Sequence, residues 1–113
     1  MEMELTILER MMLLYCLTGA QGNIVTVKTL HNVRMQVALT DEEQEFLQIK
    51  INKDGNAQWS DAKEAEMGTK KFEFSDVAFA MVKVEFERLS NEGKLTAQHI
   101  QLYERFCGEV EIE

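Results

Sequence analysis

At 113 residues the chain is long enough for one domain with a core of its own and too short for two, so residues 1–113 read as a single domain. With 45% apolar and 28% charged residues, the composition is that of a globular chain and excludes a disordered one. A net charge of −8 and an isoelectric point near 4.8 oppose attraction to nucleic acid or to anionic membranes and suit a basic protein surface better.

Thr6 and Glu9 have capping-box spacing, and Ile7, Leu8, Met11, Met12, Leu14, Tyr15 and Cys16 predict a first helix buried on more than one side. Arg10, the apolar run Met11 to Leu17 and the small residues Thr18-Gly19-Ala20 superficially resemble a secretory signal. Glu2, Glu4 and Glu9 make the leading segment acidic, so a cytoplasmic protein is expected. No apolar run approaches the ~20 residues that cross a bilayer.

Gly19, Gly22 and Asn23 break the pattern, and Ile24 to Ala38 predicts a second helix with Val27, Leu30, Val33 or Arg34, and Val37 turned inward. The β-branched run Ile24 to Val27 would otherwise suit a short strand. Thr40 and Glu43 make a second capping box, starting a short helix that ends near Leu47.

From Leu47 the period becomes two. A three-residue loop of Lys53, Asp54 and Gly55, with Gly55 left-handed, pairs Ile51 with Ala57 and Ile49 with Trp59, gathering the apolar residues on one face. A two-residue Asp54-Gly55 loop would pair Lys50 with Trp59 and put the isoleucines on the other face of the hairpin from the tryptophan. Asp61 to Thr69 reads as a loop, and Lys70 to Phe74 as a third strand.

Ser75 caps the next helix, with Phe74 and Phe79 at hydrophobic-staple spacing. Its predicted buried stripe is Phe79, Val82, Phe86 and Leu89, widened by Val77, Met81 and Val84. Gly93 ends it, and Thr96 starts a last helix with a Leu95–Ile100 staple and an inward stripe of Ile100, Tyr103, Phe106 and Cys107. Glu109 to Glu113 is a terminal strand or a frayed tail. The fold class is therefore α+β, with an N-terminal helical cluster, a β-hairpin around Asp54-Gly55 and a C-terminal αα-hairpin.

Few residues invite chemistry. Asn52, Asp54 and Asn56 alternate like calcium ligands, but Ala57 and Lys63 stand where an EF-hand loop needs glycine and glutamate, so a hairpin turn is expected. Cys16 and Cys107 lie far apart with no second ligand near either, which predicts buried free thiols and no metal. His31 and His99 have no carboxylate or thiol at a general-base spacing, so no enzyme and no cofactor are expected.

The order of three helices and a hairpin from Thr6 to Trp59 is that of a winged helix, which makes a DNA-binding transcriptional regulator the alternative. Its third helix would face phosphates with Asp41, Glu42, Glu43 and Glu45, so the reader would have to be the second helix, through Lys28, His31, Asn32, Arg34 and Gln36. The same four acids are better suited to binding protein.

Leu5-Thr6-Ile7-Leu8-Glu9-Arg10, Leu39-Thr40-Asp41-Glu42-Glu43 and Lys94-Leu95-Thr96 with His99 and Leu102-Tyr103-Glu104-Arg105-Phe106 resemble segments of small orphan proteins of tailed bacteriophages and prophages. The resemblance implies a viral or prophage origin and residence in the host cytoplasm. The expected function is noncatalytic binding of a host or phage protein, with homo-oligomers an open option.

Overall fold

A computed structural model describes residues 1–55 and 57–110 of the chain. The architecture is α+β, with six α-helices and two small antiparallel sheets among the described residues. Strand β1 (Glu2–Thr6) runs into helix α1 (Ile7–Leu17), followed by α2 (Ile24–Val37) and α3 (Asp41–Leu47). The hairpin β2 (Lys50–Ile51) and β3 (Ala57–Gln58) leads to α4 (Asp61–Met67), β4 (Thr69–Glu73), α5 (Asp76–Asn91) and α6 (Ile100–Cys107).

The caps are where local chemistry puts them. Thr6 and Glu9, and Thr40 and Glu43, form reciprocal capping boxes, and the Asn23, Ser60 and Ser75 side chains each accept an amide of the first turn that follows. The hairpin takes the three-residue register, with Ile51 opposite Ala57 and Gly55 at φ 82°. Asn56 and Glu111–Glu113 lie outside the described residues, and with them part of the calcium-loop and tail readings.

Four expectations are corrected. Asp61–Met67 is a helix, not a loop, because Ser60 caps a run of good helix formers, although it buries no residue. The strand expected at Lys70 to Phe74 forms, but it pairs with β1, with Met3 opposite Phe72 and Glu4 opposite Lys71. In α5 the buried arc runs through Ala78, Val82, Glu85 and Phe86, while Val77 and Val84 face solvent. The last helix opens with a 3-10 turn, Ala97–His99, which rotates Leu102 and Phe106 inward and leaves Ile100 exposed.

The main core is closed by residues far apart in the chain. Alternation in β1 and β4 puts Met3, Leu5, Phe72 and Phe74 on the inner face and Glu2, Glu4, Lys71 and Glu73 outside. Against that face lie Leu13 and Leu17 of α1, Leu30, Val33 and Val37 of α2, Val82 and Phe86 of α5, and Leu102 and Phe106 of α6. The Phe106 ring meets Phe74, Phe79 and Phe86 at centroid distances of 6.3, 5.1 and 5.6 Å, and Tyr103 meets Phe86 edge-on. A second, smaller cluster joins Ile7, Leu39 and Leu47 under Met11, Ile49, Trp59 and Met67. Helix α3 packs on α4, whereas α2 packs mainly on α1 and α5.

Candidate functional site

The acidic helix α3 is set in place by Arg10, which is 1% exposed. Its Nε donates to the Val37 carbonyl and Nη2 to the Ala38 carbonyl, each at 3.0 Å, satisfying the free end of α2. The same guanidinium grips Glu43 with two bonds of 2.6 and 2.9 Å and lies 5.1 Å from the Phe72 ring centroid. Glu43 also accepts the Thr40 amide. The Arg10 hydrogen bonds outweigh the opposing effect of burial and hold the Glu43 carboxyl down at about 2. Glu43 is thus a structural member of the acidic set and is turned inward.

The other three acids are displayed. Asp41, Glu42 and Glu45 are exposed, with no ion pair among the described residues, and Phe46 beside them is 40% exposed under the Lys63 ammonium. Helical spacing keeps them together. Asp41 and Glu45 are one turn apart, while Leu47 anchors the opposite side of α3.

The basic set of α2 does not converge in the same way. Lys28, Asn32 and Gln36 follow at four-residue steps, but Arg34 brings the set to about 200° of the helix circumference, too wide for one groove wall. The Gln36 amide donates to the Glu73 carbonyl at 2.7 Å, a bond that ties α2 to β4.

No family model, curated protein or solved structure matches this chain.

A groove of about 650 Å³ lies where the C-terminal ends of α1 and α5 meet the segment Lys94 to His99. Tyr15, Cys16, Arg88, Glu92, Lys94 and His99 line it. Burial, reinforced by the Glu85 charge, pushes the Cys16 thiol up to about 11, so at neutral pH it stays protonated. Arg88 is held by Glu85 and Glu92, and the Nδ1 of His99 accepts the Thr96 amide at 2.9 Å. These groups are occupied by one another. Both cysteines are free thiols; burial raises Cys107 as well, though it is only partly buried. Among the described residues no cluster of His, Cys, Asp or Glu could hold a metal, and no helix is long and apolar enough to cross a membrane.

Sequence reasoning missed three ionic positions. Arg10 is one; Glu9 is another, its second oxygen accepting from Arg105 of α6 at 2.7 Å across 96 residues of chain. Glu85, buried in α5, is the third, with Arg88 one turn on as the available signal.

Proposed function

We propose that this protein is a noncatalytic binding protein of phage or prophage origin, acting in the host cytoplasm by docking on a basic surface of a host or phage protein. The observation that carries the reading is the division of labour within α3. Glu43 is committed to Arg10, and Asp41, Glu42 and Glu45 are left displayed beside the half-exposed ring of Phe46. An aromatic anchor with a rim of like charge is the pattern of a protein interface, in which charge steers the encounter and the ring supplies buried area.

The competing reading, DNA binding through α2, has Lys28 and Asn32 in its favour. It asks a chain with 20 acidic and 12 basic residues to neutralise several phosphates. Affinity capture from infected or lysogenic cells, with a nuclease control, separates the two. A nuclease-resistant protein lost on Glu42→Lys with Glu45→Lys is the expected result. A sequence-specific duplex shift at physiological salt, abolished by Lys28→Ala with Arg34→Ala, would reverse the order.

A further inference from the structure

The charge of this chain is segregated. Residues 11–40 contain none of the 20 acids and include Lys28, His31 and Arg34. On α2, Ile24, Val27, Lys28, His31, Arg34 and Met35 fall within about 120° of the helix circumference. That stripe has little covering it, for Ile24 is 78%, Met35 55% and Val27 38% exposed. At its edge lies Arg34, partly buried, whose charge adds to that of Lys28. Apolar anchors interleaved with cations and free of acids fit an acidic, amphipathic helical surface.

The molecule itself displays such a surface in Asp41, Glu42, Glu45 and Phe46 of α3. We infer that the α2 stripe of one copy receives the α3 face of a second copy, in a head-to-tail contact. A symmetric α2-to-α2 pairing would set the two basic stripes against each other, and charge opposes it. The two faces differ, so the contact is heterologous and repeats from copy to copy unless the rotation closes a ring. Salt should weaken it, since the attraction is between exposed charges.

Sedimentation velocity of the full chain tests this. The wild type should gain mass with concentration at low ionic strength and lose it at high. Lys28→Glu with His31→Glu breaks the receiving face, and Glu42→Lys with Glu45→Lys the entering face. All four residues are exposed, and unchanged far-UV dichroism checks that the variants fold. Each variant alone should remain at 13.1 kDa, whereas their equimolar mixture should associate again as the wild type does, because acidic α3 on basic α2 and lysine-bearing α3 on glutamate-bearing α2 are both charge-complementary. A wild type that is monomeric at every concentration, a single variant that still associates, or a mixture that stays monomeric would overturn the inference. The outcome is separable from that of the partner reading. A monomer that captures a basic protein through α3 rejects the self-contact alone, and a self-associating chain that captures nothing rejects the partner alone.

Discussion

The main core and the region from Leu39 to Gly68 are built on different principles. The core gathers β1, α1, α2, β4, α5 and α6, and its strands join chain segments almost 70 positions apart through a backbone ladder. The region that carries α3, the hairpin and α4 has helices of 7 residues and strands of 2, over a small cluster of buried Ile7, Leu39 and Leu47. Helices that short are not stable alone. Besides the packing of Ile7 and Met11 of α1 in the smaller cluster, what attaches them is Arg10, which belongs to the core by its helix and to the smaller region by its hydrogen bonds. An exposed acidic face can thus be mounted on a weakly packed segment that a buried charged side chain helps to hold.

The largest effect should come from the core. Phe86 is fully buried and its ring meets Phe106 and Tyr103, so Phe86→Ala should cost about 3–5 kcal/mol. The single tryptophan, Trp59, lies in the smaller region and reports on it by fluorescence, while far-UV dichroism is dominated by the long core helices. For Phe86→Ala both signals should move to lower denaturant together. An unchanged midpoint would place the ring outside the core.

Arg10→Met should separate the two signals. The substitution keeps an apolar side chain but strands Glu43 and the Val37 and Ala38 carbonyls, at a cost of about 3 kcal/mol. The Trp59 transition should fall below the dichroism transition. Coincident transitions would make the molecule one cooperative unit and remove the contrast between its regions.

Acid should do the same more gently. Glu43 is held at about 2 against an ordinary value of 4.5, so its contribution is complete above pH 4.5. Below that the unfolded chain takes up a proton that the folded chain refuses, and the stability is lost as pH falls toward 2. In the wild type the Trp59 midpoint should decline across that window by more than in Glu43→Gln, which has no carboxyl to titrate there. Equal slopes would mean that the Arg10–Glu43 pair does not govern the attachment.

What was legible beforehand follows the same division. Caps at Thr6, Thr40 and Ser75, the glycine stop at Gly93 and the Ile51–Ala57 register depend on residues within a few positions of each other, and all were read correctly. Strand β1 alternates Glu2, Met3, Glu4 and Leu5, yet the signal is short, and its partner β4 lies beyond the hairpin. Helix α4 has no buried face to create a period, so only Ser60 and intrinsic propensity announced it. Arg10 looked like any base beside an apolar run, because the groups that bury it come 27 to 33 positions later. The site followed suit. The acids were visible as a group, but that Glu43 would turn inward and the other three outward was not.

Gly55 gives the smallest effect and the sharpest boundary between the regions. At φ 82° it occupies the left-handed region, where a residue with a Cβ is disfavoured by about 1–2 kcal/mol, more so when branched. An added Cβ would meet nothing within 4 Å, so the strain in Gly55→Val comes first from the backbone conformation. The hairpin holds little that the rest of the molecule depends on, since Ile51 is 73% exposed and its two strands are 2 residues each. Amide exchange at Ile51 and Gln58 should therefore quicken by about tenfold for each 1.4 kcal/mol of local strain, while the dichroism midpoint barely moves. A midpoint shift approaching that of Phe86→Ala would mean that the hairpin unfolds with the core. The α3 face would then rest on the cooperative body of the protein, and Arg10 would be one attachment among several.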